Sequence, residues 1–457
     1  MKLTSLTAIS PIDGRYANIT ILLRNIFSEY SFLKYRLNIE IQWLKKIISM
    51  SKLLDIKYSI ESKEILFLDN IINKFNEQDA ISIKKIEQKT NHDIKALEYF
   101  LKSKISKCKN LLYISEFIHF GCTSEDINNL AYALMLKDVR DTIILPLWQD
   151  ILNFLKKMIV KYKCSPLLSL THGQPATPST MGKEIANFYY RMQRQYLKLP
   201  KIEILGKMNG STGNYNACLA AYPHINWHKI SQDFVTSLGI SWNPYTTQIE
   251  PHDYISELFS CISLFNTILI DFNQDMWGYI SLNYFNQKIV DHEIGSSIMP
   301  HKINPIDFEN SEGNLGLSNA LMYHMIKKLP ISRWQRDLSD STVLRNLGVA
   351  ISYSIIAYNS VLLGIKKLKI NNNQLLKNLD QNWSILSEPI QTVMRRYNIE
   401  NSYEQLKKIT RGKKINKNTI HDYISSLNIP EEEKKRLKNI TPFNYIGYAN
   451  QIVDEIK

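Results

Sequence analysis

Apolar residues recur along this chain at the spacing of an α-helix, over stretches longer than most globular helices. The clearest apolar stripe consists of Ile127, Leu130, Leu134, Ile144, Leu147, Trp148, Ile151, Leu155 and Met158. Residues 123–126 (TSED) precede it and supply the hydroxyl caps and acidic residues that a helix start prefers. A second stripe predicts a helix that opens at Thr177-Pro178. Further long helical stretches are predicted over residues 253–285, 305–329 and 342–367.

Helices of this kind carry an apolar face that must be buried against other helices. Glycine and proline are sparse, at 16 and 15 residues, and they cluster at a few points instead of punctuating the chain as they do in β-sandwiches and barrels. We therefore predict an all-α protein with three helical domains. They are an N-terminal domain over residues 1–112, a central long-helix bundle over residues 113–368 and a small C-terminal domain over residues 369–457.

The charge of the chain is basic, because 56 Lys and Arg residues outnumber 43 Asp and Glu residues and give a net charge of +13. A basic chain can bind nucleic acid, an anionic membrane surface or acidic small molecules. The lysines are scattered rather than gathered in a block, and no nucleic-acid-binding motif is visible. We therefore expect neither nucleic acid nor a membrane as a partner, and acidic small molecules remain.

The cysteines and the apolar segments predict a cytoplasmic protein. Five cysteines, an odd number, are widely spaced without a C-x-x-C pair, which argues against a disulfide framework and against a zinc site. Residues 1–16 contain no apolar core of signal-peptide length. Residues 347–365 are uncharged over about the length of a membrane span. Because Ser352, Ser354 and Asn359 dilute this segment, a helix buried on all sides of a bundle explains it better.

The strongest chemical signal is the segment over residues 295–314, GSSIMPHKINPIDFENSEGN. It contains a hydroxyl pair, a lysine, two amides and a carboxylate: Ser296, Ser297, Lys302, Asn304, Asn310 and Glu309. The loop ends at a predicted helix start, for which Asn304 is a suitable N-cap and the proline after it a suitable first residue. Such a loop can bind and activate an anionic substrate; the plainer interpretation is an ordinary polar connection between two helices.

Five further polar clusters lie at predicted helix ends or in turns. They contain Arg15 and Tyr16; Asn91, His92 and Asp93; Thr123 and Ser124; Thr171 and His172; and Arg333, Arg336, Ser341 and Arg345. Hydroxyls and free amides before the long helix predict an anion site there, and the arginines suit carboxylate or phosphate. Plainer interpretations are helix-capping roles for the two histidines and a salt-bridged helix face for the arginines.

None of these clusters has the spacing of a metal site, a glycine-rich phosphate loop or a nucleophile elbow, and we expect no cofactor. Cations, a loop serine and loop histidines suit a reaction that moves a proton beside a carboxylate. A lysine and amides would stabilise the extra negative charge that a carbanion places on that carboxylate, and a histidine would protonate the leaving group. The residues alone therefore predict acid–base elimination from, or addition to, an anionic substrate.

The loop pattern S-S-x-M-P-x-K-x-N, at residues 296–304, resembles the signature of the fumarase/aspartase superfamily, whose members eliminate fumarate from a succinyl-type substrate. Other segments resemble the bacterial branch of that superfamily that acts on adenylosuccinate. They are SPIDGRY at 10–16, TNHDIKALEYF at 90–100, CTSEDINN at 122–129, THGQPATPST at 171–180, NPYTTQIEPHDY at 243–254 and WQRDLSDSTVLRN at 334–346. The resemblance covers nearly the whole chain and is weakest after about residue 370.

This resemblance implies two β-eliminations: adenylosuccinate to AMP plus fumarate, and SAICAR to AICAR plus fumarate. It implies that Ser296 is the general base and that His172 is the general acid, oriented by Glu309. Lys302 and Asn304 are implied to bind the succinyl carboxylates. Further substrate contacts are implied for Arg15, Tyr16, Asn91, His92, Asp93, Thr123, Ser124, Thr171, Gln248, Ser297, Asn310, Arg336, Ser341 and Arg345.

The superfamily further implies a homotetramer, in which the long central helices form one shared core and each active site draws on three subunits. The nearest competing hypotheses keep the fold and change the substrate, as in argininosuccinate lyase, fumarase or aspartase. Two more distant hypotheses are a non-enzymatic protein that retains a lyase fold and a basic nucleic-acid-binding protein. The arginines and the SPIDGRY segment favour a phosphorylated nucleotide as the substrate.

Overall fold

The computed structural model describes residues 1–51, 53–54, 61–288, 298–299, 301–412 and 415–456. The backbone of this part of the chain is predominantly α-helical, and its strands are only two or three residues long, which confirms the all-α class. The helices are α1 (Ile21–Phe27), α2 (Glu29–Ser49), α3 (Ser62–Asn73), α4 (Glu77–Thr90), α5 (Asp93–Ile105), α6 (Ser124–Val139), α7 (Leu145–Tyr162), α8 (Met181–Lys198), α9 (Asn216–Ala221), α10 (Trp227–Ser237), α11 (Asp253–Ser281), α12 (Ile306–Lys328), α13 (Ser339–Leu344), α14 (Leu347–Lys367), α15 (Asn372–Asp380), α16 (Ser387–Arg396), α17 (Ser402–Thr410), α18 (Lys417–Ser426), α19 (Glu431–Lys438) and α20 (Ala449–Asp454).

The short strands pair locally or close a helical connection. They are β1 (Pro166–Leu167), β2 (Leu170–Thr171), β3 (Gln174–Pro175), β4 (Ser179–Thr180), β5 (Leu205–Gly206), β6 (Ser241–Trp242), β7 (Phe285–Gln287) and β8 (Leu368–Ile370). Strands β1 and β4, β2 and β3, and β7 and β8 pair antiparallel, whereas β5 and β6 pair parallel. None of these ladders is long enough to form a layer of the fold.

The predicted long apolar stripe is confirmed, with one irregularity. Helices α6 and α7 are joined by a π-helical turn, Arg140–Ile144, so that helical backbone runs from Ser124 to Tyr162. Ile127, Leu130, Trp148, Ile151 and Leu155 are fully buried, as their spacing predicts.

Three predicted helix boundaries are wrong, and in each case backbone pairing or a break explains the difference. The helix expected from Thr177-Pro178 begins at Met181, because Ser179 and Thr180 pair with Leu167 and Pro166 as strand β4. The stretch over residues 253–285 ends at Ser281, because Phe285 belongs to β7, whose partner is β8. The stretch over residues 342–367 consists of α13 and α14, which are separated by two residues.

The described chain divides into two compact units. The first unit consists of Met1–Trp148, Gln195–Thr267 and Gly313–Asn359, and the second of Gln149–Arg194, Ile268–Glu312 and Ser360–Lys457. The division of the chain into the three domains expected from the sequence stays a prediction.

The core of the first unit contains both apolar and polar contacts between long helices. Trp148 stacks on Phe265 with ring centroids 3.8 Å apart, and Tyr358 meets Phe265 edge-on. Beside them the buried Asn266 donates to Ser354 Oγ at 2.9 Å and accepts from the Tyr358 hydroxyl at 2.5 Å. Because every one of these polar groups is satisfied only in one register of the helices, the cluster fixes how α11 and α14 align.

Two segments, Asp253–Ser281 and Ser339–Lys367, have the length and hydropathy of a membrane span. In their most apolar windows, 61% and 72% of the residues are buried inside the protein, which is the behaviour of core helices. Ser354 lies in the second segment and is fully buried against Asn266, so the serines that dilute this segment include a core hydrogen-bonding residue.

The second unit has two apolar contact regions. In one, Phe272 packs edge-on against Phe188 and Phe308, and Gly364 leaves room for the Phe308 ring, which a Cβ at that glycine would approach to 2.9 Å. The other is the core of the C-terminal helices, where Trp383, Ile390, Met394, Ile420 and Leu437 form one buried cluster. A small core of this kind agrees with the short, polar helices seen in that part of the sequence.

Candidate active site

The residues predicted to bind substrate occur in both units. The first unit contains Arg15, Tyr16, Asn91, His92, Asp93, Thr123, Ser124, Gln248, Arg336, Ser341 and Arg345. The second contains Thr171, His172, Lys302, Asn304, Glu309 and Asn310. Ser296 and Ser297 lie outside the described residues, so their predicted roles stay predictions.

The segment before α1 is a compact series of turns that presents Arg15 to solvent. Gly14 N donates to Ser10 O at 3.0 Å, and the buried Thr20 hydroxyl donates to Ile12 O at 2.9 Å. These bonds hold the backbone on both sides of the exposed Arg15 and the half-buried Tyr16.

A cavity of about 290 Å³ lies beside these turns. Its lining includes Ser10, Arg24, Ser28, Arg345 and Ser352. The lining also includes Asp13, whose carboxylate lies 3.9 Å from Arg24. Two guanidinium groups outnumber this one carboxylate, so the cavity suits an oxygen-rich anion.

His92 and Asp93 form the start of α5. His92 is the N-cap residue, and its Nδ1 accepts from Lys95 N at 3.2 Å, so the capping role considered from the sequence is confirmed. Asp93 Oδ2 accepts from Arg36 Nη2 at 2.8 Å and lies 3.7 Å from Arg345 Nη2. Burial alone would raise the pKa of Asp93, but the two guanidinium groups and the Ile94 amide hold that pKa below its ordinary value. The carboxylate is therefore ionised at neutral pH.

Thr123 and Ser124 lie at the start of α6, where a buried ion pair fixes the backbone. Asp126 accepts from Thr123 N at 2.8 Å and from Gly210 N at 3.0 Å, and Lys207 Nζ lies 3.0 Å from its other oxygen. Both side chains of this pair are fully buried. The prediction that the amides here are free for an anion is therefore wrong for Thr123 N, because Asp126 already occupies that position. The two hydroxyls remain as candidate substrate contacts.

Gln248 and Arg336 meet in the first unit. Arg336 Nη1 donates to Gln248 Oε1 at 3.2 Å, and Arg336 Nη2 donates to the buried Glu125 at 3.0 Å. They line a groove of about 500 Å³ together with Ser211 and the almost fully exposed Trp334. The groove thus combines a guanidinium, an amide and an indole surface.

Ser341 follows a buried carboxylate that contacts His252. His252 Nε2 lies 3.6 Å from Asp340 Oδ2, and its Nδ1 lies 3.6 Å from Glu250 Oε2. Burial lowers the pKa of His252, but the two carboxylates outweigh burial and raise that pKa to about 9. The imidazolium therefore joins the loop that carries Gln248 to the helix that carries Ser341.

His172 lies at the tip of the hairpin formed by β2 and β3. Thr171 pairs with Gln174, and the two turn residues His172 and Gly173 have φ values of 53° and 70°. Positive φ at both positions is what a two-residue hairpin turn of this hand requires, and glycine at the second position satisfies it without strain. The stiff loop expected from the sequence is thus a tight turn that exposes the imidazole.

A cavity of about 380 Å³ lies beside the first strand of this hairpin. Its lining includes Thr171, Glu184 and Asp275. Burial raises the pKa of Asp275, and the negative charges of Asp271 and Glu184 raise it further. Two carboxylates make this cavity a poor site for an anion. Although Thr171 lines it, the cavity is therefore not the candidate substrate site.

Lys302, Asn304, Glu309 and Asn310 lie at the start of α12. Lys302 is exposed, and Asn304 and Asn310 are half-buried. The exposed Glu309 accepts from Trp277 Nε1 at 3.1 Å. Among the described contacts none joins Glu309 or Lys302 to His172, so the pairing of Glu309 with His172 stays a prediction.

Sequence reasoning assigned no role at the site to several polar residues that support it: the buried Arg36, Glu125, Asp126, Lys207 and His252, and the half-buried Asn128. The signal for Arg36 was available, since it stands one position before the buried Leu37 and three after the buried Leu33 on one apolar helix. A buried cation on such a face needs an anionic partner, which the half-buried Asp93 supplies. In the part of the chain that the structure describes, no group of three or more His, Cys, Asp or Glu residues is arranged to hold a metal ion.

Comparison with known proteins identifies related sequences over the full length of the chain. The family profile described as lyase matches residues 14–318, and the profile described as adenylosuccinate lyase C-terminal matches residues 332–446. The adenylosuccinate lyase of Buchnera aphidicola subsp. Acyrthosiphon pisum (strain APS) is 80% identical, and that of Escherichia coli (strain K12) is 60% identical. Each comparison covers 100% of both chains.

Solved structures with much lower identity share the fold. The 3-carboxy-cis,cis-muconate lactonizing enzyme from Pseudomonas putida is 18% identical, with a TM-score of 0.75 over 95% of both chains. A fumarate lyase from Mesorhizobium sp. BNC1 is 16% identical, with a TM-score of 0.74 over 95% of this chain and 96% of that one. From the full-length identities and the two matching profiles, the chain belongs to the adenylosuccinate lyase family of the fumarase/aspartase superfamily.

Proposed function

We propose that this chain catalyses the β-elimination of fumarate from adenylosuccinate, giving AMP, and from SAICAR, giving AICAR. The observation that carries the proposal is the full-length identity of 80% and 60% to two proteins named adenylosuccinate lyase. The chain also contains the segments that carry the resemblance, including SPIDGRY and the loop at 296–304. No cofactor is required by the proposed reaction.

In the proposed mechanism Ser296 removes the proton from the β-carbon of the succinyl group. The electron pair of that C–H bond forms the double bond of fumarate as the C–N bond breaks, and His172 donates a proton to the departing nitrogen. A serine is a weak base in water, so Lys302 and loop amides must favour its alkoxide. The exposed position of His172 at a tight hairpin turn supports its role, because the ring is held at the end of a rigid backbone and not used as a core residue.

Two groups of residues are proposed to bind the rest of the substrate. Lys302 and Asn304 bind the succinyl carboxylates, with Ser297, Asn310, Thr171, Thr123 and Ser124 as further polar contacts. Arg15, Tyr16, Arg336, Ser341 and Arg345 bind the phosphate and ribose, with Gln248, Asn91, His92 and Asp93 at the edge of the same site. The serine-lined and arginine-lined cavity beside Arg345 supports the phosphate assignment.

The chain is further proposed to act as a cytoplasmic homotetramer whose active sites draw on three subunits. Large apolar side chains are exposed on its long helices, and they include Val160, Tyr190, Leu197, Leu264, Trp277, Leu317, Tyr323 and Leu363. Gly278, Gly313 and Gly316 lie within helices, and apart from the backbone of their own helix no atom of this chain is within 4 Å of a Cβ built on them. Apolar side chains and bare glycine surfaces on long helices support close packing against further copies of the chain.

The decisive experiment measures fumarate release by the purified protein from adenylosuccinate, argininosuccinate and malate in parallel, without added metal. We expect fumarate from adenylosuccinate and none from argininosuccinate or malate, because the arginine cluster suits a phosphorylated substrate. Absence of fumarate from adenylosuccinate, with a folded protein of tetrameric mass by light scattering, would disprove the function. Preferential turnover of either other substrate would assign a different member of the superfamily.

A further inference from the structure

A continuous series of hydrogen bonds crosses the first unit beneath the candidate site. Asp93 accepts from Arg36 Nη2 at 2.8 Å, and Arg36 Nε donates to Asn128 Oδ1 at 2.9 Å. Asn128 Nδ2 then donates to Glu125 Oε1 at 2.7 Å. This series extends to the substrate-binding groove through Arg336, which donates to the same oxygen of Glu125 at 3.0 Å and to Gln248 at 3.2 Å.

The residues at the two ends of the series are proposed to bind substrate, whereas the residues in the middle are not. Asp93 and its neighbour Arg345, 3.7 Å away, belong to one end, and Arg336 and Gln248 to the other. Between them lie Arg36 and Glu125, whose side chains are only 2% and 4% exposed. Their burial keeps them from direct contact with a ligand, so they act by fixing the residues at the ends.

Asn128 bridges a cation and an anion, which requires a side chain that both accepts and donates hydrogen bonds, as an amide does. Its oxygen accepts from the Arg36 guanidinium and its nitrogen donates to the Glu125 carboxylate, so only one orientation of the amide satisfies both neighbours. A carboxylate at this position would accept from Arg36 but would face Glu125 with a second negative charge. An apolar residue would leave both buried charges without this partner.

We propose that Asn128 and Glu125 are positioning residues that hold Arg336, and through it Gln248, in the orientation that binds the nucleotide part of the substrate. Glu125 accepts two hydrogen bonds on one oxygen, so the position of the Arg336 guanidinium depends on the direction in which Asn128 presents its amide. This inference rests on the proposed function, because it assigns support to residues that bind the proposed substrate.

A double-mutant cycle with Arg336→Met tests the inference. Asn128→Asp places a second carboxylate against the Glu125 oxygen that accepts from Arg336, and so displaces the guanidinium. In the Arg336→Met background there is no guanidinium to displace, so the same substitution should have no further effect on substrate binding. Asn373→Asp is the matched control, since it makes the same charge change at an exposed position of α15.

We expect Asn128→Asp to raise KM for adenylosuccinate at least about tenfold while kcat stays within about threefold, a size of coupling usual for groups in direct contact. In the Arg336→Met background the same substitution is expected to change KM by less than about threefold, and Asn373→Asp to leave the KM of the wild type unchanged. An unchanged KM in Asn128→Asp overturns the inference, as does a KM that rises as much in the Arg336→Met background as in the wild type. If Asn128→Asp does not fold, Asn128→Leu replaces it in the same cycle, because it removes both hydrogen bonds without adding a charge.

Wild-type turnover separates this inference from the function on which it rests. If the wild type releases no fumarate from adenylosuccinate, the proposed function fails. The melting temperatures of the same four proteins then still measure whether residues 128 and 336 are coupled. A cycle in which the two substitutions act additively on the melting temperature counts against the network itself.

Discussion

His252 joins two parts of the candidate site through a single buried charge. Its ring is 2% exposed and lies between Glu250, on the segment that carries Gln248, and Asp340, which precedes Ser341. Because both neighbours are carboxylates, the charged form of the ring is favoured in spite of its burial, and the pKa rises from an ordinary value of 6.5 to about 9. Neutralising the ring would leave two buried carboxylates with less compensation.

This arrangement predicts a pH dependence of stability. Since the folded-state pKa of His252 is raised, its contribution is fully present below about pH 6.5 and is lost as the pH rises through about 9. We expect the free energy of unfolding of the wild type to fall over this interval by up to about 3 kcal/mol more than that of His252→Gln. Urea unfolding at pH 6, 7.5 and 9 measures the difference. Equal slopes with pH in the two proteins would show that His252 is not the titrating group.

At this scale the sequence predicted which residue types bear the chemistry but not the pairs that they form. The SPIDGRY, THGQ and signature-loop residues stand out because their types and spacing are unusual for a surface loop. The pairing of Arg36 with Asp93, 57 positions apart, arises only when α2 and α5 pack together, and no local pattern encodes it. The same holds for Glu125 and Arg336, which are 211 positions apart.

Among the elements, the hairpin of β2 and β3 has the most direct bearing on function. It contains only four paired residues and two turn residues, yet it determines where the His172 ring lies. Gly173 has a φ of 70°, and a Cβ at this position would meet no atom within 4 Å. Within this chain, any effect of a side chain there therefore comes from backbone strain and not from crowding.

We expect Gly173→Val to reduce turnover of adenylosuccinate at least about fivefold, because a left-handed backbone costs a non-glycine residue roughly 1–2 kcal/mol and more for a branched one. Gly173→Asn is the matched control, since asparagine tolerates this conformation, and it should stay within about twofold of the wild type. Steady-state assays with melting curves measure both. If valine and asparagine have the same effect, turn geometry does not position His172.

Helix interiors were predictable, whereas several helix ends were not. The stripe from Ile127 onward has a local cause, namely apolar residues at helical spacing, and seven of its nine residues are buried, with Leu134 and Leu147 half-buried. The start of α8 at Met181 is set by the pairing of Ser179 with Leu167 across the chain, which overrides the favourable start at Thr177-Pro178. The π turn at Arg140–Ile144 also has no local signature: its buried arginine donates to Ile202 O, far along the sequence.

For the whole molecule, the distribution of the proposed site residues over two compact units is the notable feature. His172, Lys302 and Asn304 belong to the second unit, and Arg15, Arg336 and Arg345 belong to the first. Sites that several subunits build together do not require these residues to meet within one chain. Such shared sites, as proposed above, would account in the same way for the scattered order of the polar clusters along the sequence.

Mixing two inactive variants tests this arrangement. His172→Ala and Ser296→Ala should each reduce turnover by at least about 10²-fold, as expected for loss of a general acid or base. After the two variants exchange subunits at equal amounts, each subunit of a site has an even chance of being either variant. If His172 and Ser296 come from different subunits, about a quarter of the sites should therefore contain both intact residues. The fumarate-release rate of the mixture measures this. If mass spectrometry confirms the exchange and the fumarate-release rate does not recover, one subunit supplies both residues of a site.

The buried ion pair of Lys207 and Asp126 has a consequence for how opening of the first unit is observed. Amine-reactive reagents modify the exposed lysines of this basic chain directly, but the Lys207 ammonium is fully enclosed and is 3.0 Å from both Asp126 Oδ1 and Gly210 O. Its acylation requires the start of α6 to separate from the strand at Gly206. The rate at which Lys207 is acylated, relative to the rate for the exposed lysines, therefore measures how often this part of the protein opens.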